Sequence, residues 1–315
     1  MNQSAPFLND VFEWPKGAIT SYETTSDGIK IRTGIWVARN PAGTVFVFPG
    51  RADYLEKYGG LANNLLDRNL NVVTIDWRGQ GLSERLLQDR NIGHIEDFKS
   101  YQNDVAVMIN NANTAKLAKP WIMFAHSMGG LIGLRSLHNT SIFEKAVITS
   151  PMWGIAMPPI LKSGAPIIMS LISLLGKMET YAPTTNSETR ILHEDYGSNK
   201  LTNDLQNFTL LGQQVEQYPD LQIGGPSTAW VSAALDEIEF QIRTGPPRTP
   251  ALCFLAEEEE IIDSLAVRTF CDRWDTCDLI SMPKAKHDLL MEQNSVLARL
   301  LSELDKFIKN NLQIF

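Results

Sequence analysis

Short, nearly unbroken apolar runs recur along the 315-residue chain: TVFVFPG (44–50), NVVTIDWRG (71–79), PWIMFAHS (120–127), KAVITSP (145–151), PALCFLA (250–256) and DLISMP (278–283). Runs of this length without polar alternation predict strands buried on both faces. Between them, YLEKYGGLANNLLDRN (54–69), IEDFKSYQNDVAVMINNANTA (95–115), GGLIGLRSLHN (129–139) and SLAVRTFCDRW (264–274) carry helical periodicity. Strands alternating with helices predict an α/β fold with a mostly parallel central sheet flanked by helices. The polar alternation of GAITSYETTSDGIKIRTGIWVA (17–38) suits antiparallel strands added at one edge.

The alternation fails between 152 and 245, where the pattern turns irregularly helical with many prolines and glycines. That length is too great for a loop and predicts an inserted, mainly helical cap, with the core formed by 1–151 and 246–315. The most apolar part, PMWGIAMPPILKSGAPIIMSLISLLGKM (151–178), is broken by Pro158, Pro159, Lys162 and Pro166. No unbroken run reaches the roughly 20 residues that a membrane-spanning helix requires.

Composition narrows the function. Lys plus Arg total 28 against 36 Asp plus Glu, a net charge of −8, with no basic cluster, so nucleic acid is not an expected partner. The opening MNQSAPFLNDVFEWPKG lacks the form of a secretory signal. Cys253, Cys271 and Cys277 lack metal-ligand spacing and read as reduced core thiols. Together these predict a cytoplasmic location. Neither a metal nor an organic cofactor is expected.

The chemistry begins at WIMFAHSMGG (121–130), where a strand runs into a serine and two glycines that open a helix. A sharp turn there lifts Ser127 clear of the sheet, and the small Ala125, Gly129 and Gly130 let the turn pack against neighbouring backbone. A serine hydroxyl needs a base and the base an orienting acid, in the chain order serine, acid, histidine. His94 precedes the serine, His126 lies inside the turn, His138 ends the following helix and His193 falls in the cap. His287 follows a predicted strand and is the candidate base. The acid belongs to the turn after PALCFLA, where Glu257, Glu258, Glu259, Glu260 and Asp263 all compete. Backbone N–H groups of Met128 and Arg51 are the candidate oxyanion donors, Arg51 by its place after the strand TVFVF. In DWRGQG, Asp76, Arg78 and the glycines are better explained as turn and loop supports than as a phosphate or metal site.

These segments resemble the α/β-hydrolases of the lysophospholipase and monoacylglycerol lipase family, particularly the bacterial lysophospholipase L2 type. FPGRADYLEKY is similar to that family's oxyanion loop, DWRGQGLSER and IGHIEDFKSYQNDV to its next two signatures, AHSMGG to its elbow, AEEEEIID to its acid turn and AKHDLLMEQ to its histidine loop. The matches keep their order over roughly residues 20 to 310 and leave only the cap poorly matched. The resemblance implies Glu259 as the acid, with Glu258 its main competitor. Two residues depart from the pattern: Pro49 stands where the oxyanion loop usually has histidine, and Ala125 where the elbow usually has glycine.

The implied activity is hydrolysis of a carboxylic ester, a lysophospholipid or monoacylglycerol, through an acyl-enzyme. A small-ester carboxylesterase or peptidase-like acyl hydrolase is the alternative, and a ligand-binding protein of the same fold is the non-enzymatic one. Trp153, Ile155, Met157 and Ile168 are the candidate acyl-binding residues. The apolar stretch that holds them would line an acyl pocket, lie shallowly in a membrane surface, or pack as a buried helix pair.

Overall fold

The computed structural model describes residues 3–157 and 159–309. Among these, strands β1 (Gln3–Ser4), β2 (Ile19–Thr24), β3 (Lys30–Trp36), β4 (Gly43–Phe48), β5 (Leu70–Asp76), β6 (Trp121–His126), β7 (Lys145–Thr149), β8 (Ala251–Ala256) and β9 (Cys277–Met282) form one sheet. Their order across it is β1, β2, β3, β5, β4, β6, β7, β8, β9. From β5 to β9 every neighbouring pair is parallel, whereas β1, β2 and β3 join antiparallel at the β5 edge. The apolar runs form the parallel strands and the alternating segment the antiparallel ones, of which β2 is partly exposed and β3, between β2 and β5, is buried on both faces.

The described α-helices are α1 (Gly59–Asp67), α2 (Tyr101–Thr114), α3 (Met128–Asn139), α4 (Pro159–Leu174), α5 (Arg190–His193), α6 (Leu205–Gln217), α7 (Thr228–Thr244), α8 (Ser264–Cys271) and α9 (Asn294–Lys309). Within β4 the faces alternate: Phe46 and Phe48 pack with α2, α3 and α8, while Val45 and Val47 pack with α1 and α9. Helix α9 is absent from the sequence prediction, although Val296, Leu300, Leu301, Leu304 and Ile308 bury one stripe of it. This is the α/β-hydrolase fold.

Between β7 and β8 the chain leaves the sheet and forms α4, α5, α6 and α7. Helix α7 is joined to the rest of the molecule: Trp230, Ala233, Ala234 and Ile238 share one apolar core with the sheet and with α3. Arg135 on α3 meets Glu237 on α7 through a two-point ion pair, Nε to Oε1 at 2.8 Å and Nη2 to Oε2 at 2.5 Å.

Asp76 closes β5 by pairing with Arg32 Nε at 2.7 Å and accepting the N–H groups of Leu55 at 2.8 Å and Leu82 at 2.7 Å. Arg78 pairs with Asp27 and Asp104. The DWRGQG segment thus ties loops together near the sheet's C-terminal edge, where the chains leaving β4, β6, β8 and β9 converge.

Candidate active site

Strand β6 is held between β4 and β7, with Ala125 opposite Phe48 on one side and Ile148 on the other. The next residue but one, Ser127, adopts φ 52° and ψ −116°, a left-handed conformation that costs a side-chain-bearing residue energy. Hydrogen bonds hold it there: Ser127 N–H donates to Thr149 O at 3.0 Å, and Ser127 O accepts from Gly130 at 2.9 Å and Met152 at 3.0 Å. The glycines that follow are dictated by contact. A Cβ at 129 would be driven into the Phe48 carbonyl, and one at 130 would stand 2.7 Å from Pro151 Cβ.

His287, in the loop between β9 and α9, places Nε2 2.9 Å from Ser127 Oγ. Its Nδ1 lies 2.8 Å from Glu259 Oε2. An ionised carboxylate only accepts, so Nδ1 carries the proton and Nε2 is left to accept from the serine hydroxyl. Burial pushes the Glu259 carboxyl up, but the His287 N–H and charge, with the N–H groups of Ile261 and Ile262, outweigh it and hold it below the usual carboxylate range. The competing glutamates are engaged elsewhere: Glu258 accepts from Asn203 Nδ2 at 2.9 Å and Glu260 meets Lys200 at 3.1 Å, while Glu257 is exposed.

His126, beside the serine, bonds Thr149 Oγ1 at 3.0 Å instead of the serine hydroxyl, and burial pushes its imidazole down to about 4. His94 bonds Ser227 at 2.9 Å and His138 the Gly245 carbonyl at 3.0 Å. His193 lines the cavity described below.

The β4 loop turns at Gly50, where a Cβ would stand 2.7 Å from Asp53 Oδ2 and 3.0 Å from His126. Gly50 N–H donates to Asp53 Oδ2 at 2.8 Å and to Tyr58 Oη at 3.1 Å, and Ala52 N–H to Gln80 Oε1 at 2.5 Å. Arg51 N–H, between them, and Met128 N–H, at the start of α3, have no protein partner among the described residues. Pro49, at the departure from the family pattern, accepts Trp77 Nε1 at 2.9 Å through its carbonyl.

Sequence reasoning missed a buried ion cluster beneath this loop. Lys57 Nζ sits 2.5 Å from both Asp53 Oδ1 and Asp288 Oδ2. Burial lowers the affinity of the Lys57 amine for its proton, yet the two carboxylates more than restore it. The i,i+4 spacing of Asp53 and Lys57 was a legible signal; the arrival of Asp288 was not. A second omission is the clasp on the histidine loop. His287 N–H donates to Lys200 O at 3.3 Å, Asp288 N–H to Leu201 O at 2.8 Å, and Lys286 Nζ to Asn199 O at 2.8 Å.

Ser127 and His287 open into a cavity of about 850 Å³, walled by Tyr54, Met152, Ile155, Leu211, Ile223 and Trp230 among others. Of the candidate acyl-binding residues only Ile155 lines it. Trp153 is buried against Phe270 and Trp274, because its indole N–H is held by the Gly130 carbonyl at 3.2 Å. Met157 lies outside the lining and Ile168 faces solvent on α4. Residue 158 and the side chains of Ile160, Leu161 and Ile167 lie outside the described residues. Among the described residues no group of three or more His, Cys, Asp or Glu could hold a metal ion, and no helix is long and apolar enough to cross a membrane.

A left-handed serine at a strand-to-helix turn, a histidine within hydrogen-bond reach of it and a buried carboxylate behind that histidine place the protein in the class of serine hydrolases with the α/β-hydrolase fold. Residues 39–294 match the model of the serine aminopeptidase S33 family, and the chain belongs to that family. It is 28% identical over 261 residues to a probable lysophospholipase L2 of Haemophilus influenzae, covering 82% of this chain and 81% of that protein. It is 29% identical over 253 residues to lysophospholipase L2 of Escherichia coli K12, covering 79% and 73%. In structure it resembles a soluble variant of monoglyceride lipase from Saccharomyces cerevisiae, with a TM-score of 0.73, 18% identity and coverage of 97% and 99%. A thermostable carboxyl esterase from Bacillus coagulans superposes with a TM-score of 0.75 at 12% identity, covering 94% and 99%.

Proposed function

We propose that the protein hydrolyses a single-chain lipid ester, a lysophospholipid or monoacylglycerol, through an acyl-enzyme on Ser127. The observation that carries this is the continuous chain of hydrogen bonds from Ser127 Oγ through His287 to Glu259 at the mouth of a largely apolar cavity. Ser127 Oγ attacks the ester carbonyl while His287 Nε2 takes its proton. The N–H groups of Arg51 and Met128 hold the oxyanion, and Glu259 fixes the imidazole and stabilises its charged form. His287 then returns the proton to the departing alcohol. In the second half, water gives its proton to Nε2 as it attacks the acyl group, and His287 returns that proton to Ser127 Oγ as the acyl–oxygen bond breaks and the carboxylic acid leaves.

The segment 152–245 serves as the cap over this cavity, with Met152 and Ile155 on the acyl side. Its helix α4 turns Leu171 and Leu174 outward, and Leu175 follows directly; they are exposed by 57%, 83% and 69%, a surface suited to meeting aggregated lipid. The names of the lysophospholipase relatives support the lipid assignment. The chemical test is hydrolysis of 1-acyl lysophospholipid and monoacylglycerol, with fluorophosphonate labelling, for the unaltered protein and Ser127→Ala. Both signals are expected to vanish in the variant; persistence of either would overturn the assignment.

A further inference from the structure

The cavity wall contains a cation that the reaction above does not use. Arg51 contributes its backbone N–H to the oxyanion site, but its guanidinium extends along the cavity towards the 223–226 segment. There Nη2 donates to the Gly224 carbonyl at 2.7 Å, and the guanidinium lies over the Trp230 ring, 5.4 Å from its centroid. Nε is buried without a partner and Nη1 makes no hydrogen bond among the described residues. No carboxylate answers the charge. Burial pushes the guanidinium down to about 10, opposed only by Tyr101, but it remains cationic at neutral pH.

The other cations of the lining are compensated. Lys57 lies between Asp53 and Asp288, and Arg190 Nη2 meets Glu194 Oε1 at 2.6 Å. Arg51 alone among the lining lysines and arginines lacks an acid. A guanidinium taken out of water without a counter-ion is costly unless an anion arrives with the ligand. Its Nη1, without a partner among the described residues, suits a charged phosphate oxygen better than any neutral hydroxyl.

Position selects which anion. The same residue that offers its N–H to the ester oxyanion holds its guanidinium one side-chain length away, against Gly224 and Trp230 of the cavity wall. In a lysophospholipid the ester carbonyl and the phosphate are separated by a glycerol, a span comparable with an arginine side chain. We infer that Arg51 is a specificity-determining residue whose guanidinium receives the phosphodiester of a glycerophospholipid head group, so that the phosphate-bearing ester is preferred over the neutral monoacylglycerol. This rests on the ester-hydrolase assignment and decides between the two substrates that assignment leaves together.

The test is a ratio. Values of kcat/KM are measured for lysophosphatidylethanolamine and monoacylglycerol of the same acyl chain in the same detergent, for the unaltered protein, Arg51→Met and Arg51→Lys. Any loss common to both substrates cancels. The unaltered protein is expected to favour the phospholipid, and Arg51→Met to lower that preference about ten- to a hundredfold, the range for a lost charge-assisted hydrogen bond. Arg51→Lys is expected to keep part of it. An unchanged ratio in Arg51→Met overturns the inference while leaving the ester hydrolase intact; failure of the unaltered protein to cleave either ester overturns both.

A second measurement needs no variant. Glycerol 3-phosphate is expected to inhibit hydrolysis of a short neutral ester at least tenfold better than either glycerol or inorganic phosphate. Equal inhibition by glycerol removes the phosphate contact, and equal inhibition by inorganic phosphate makes the site one for free anion, contrary to the inference.

Discussion

His126 and His287 lie with ring centroids 5.1 Å apart and are treated oppositely by their surroundings. His287 is given a carboxylate and a serine; His126 is given Thr149 and no acid within hydrogen-bond reach. Burial holds His126 neutral down to about 4, against an ordinary value of 6.5, even though Asp288 pulls the other way. Its unfolded form takes up a proton across that window and its folded form does not. Stability contributed by the neutral imidazole is therefore complete above 6.5 and lost as pH falls towards 4. Urea melts at several pH values should show His126→Asn with a shallower acid dependence, by about one proton. The two adjacent glutamates make a second contrast. Glu259→Gln leaves the imidazole without its anion and is expected to lower kcat about a thousandfold or more, as tautomer and charge are both lost. Glu258→Gln, which touches only Asn203, should leave kcat within about threefold.

At the scale of elements, the decisive joint is the turn from β6 into α3. It works only because β4 and β6 lie close enough for the elbow to rest on the Phe48 carbonyl. Gly129→Ala forces a methyl into that carbonyl and is expected to destabilise by at least about 3 kcal/mol, read as a lowered melting temperature alongside lost labelling of Ser127. Ala125 is different. It lies inside β6, and its methyl is accommodated between Phe48 and Ile148, so the usual glycine is not required there.

Across the whole molecule, residues 152–245 are joined to the sheet and its helices by a shared apolar core and by buried polar contacts. The Arg135 to Glu237 pair ties α3, which carries the nucleophile's backbone, to α7, which carries Trp230 of the cavity wall. Arg135→Met leaves the Glu237 carboxylate buried without its cation, with the Gln241 amide still donating to Oε1 at 2.6 Å, and should cost about 3 kcal/mol in chemical denaturation. Leu171 and Leu174 on α4, and Leu175 just beyond it, are exposed. Leu174→Asp with Leu175→Asp is expected to weaken sedimentation with phospholipid vesicles while leaving the melting temperature unchanged within about a degree.

The sequence by itself determined the strand and helix alternation, the parallel sheet, and the chain order of serine, acid turn and histidine. These are properties of local periodicity and of which residue types can act as nucleophile and base. It named Ser127 and His287 without geometry, but composition could not choose among adjacent glutamates, because a charge run looks the same whether its members are buried or solvated; the family resemblance alone pointed to Glu259. Nor could it place Trp153 against Phe270 instead of in the cavity, since apolar spacing does not distinguish a pocket wall from packing. Helix α9 carries a legible apolar stripe of Val296, Leu300, Leu301, Leu304 and Ile308. Only the tertiary structure brought Asp288 to Lys57, clasped the histidine loop with residues 199–201, and left the Arg51 guanidinium without an acid. Each of those depends on segments far apart in the chain, whose meeting is fixed by the packing of the sheet and cap and is encoded in no single stretch.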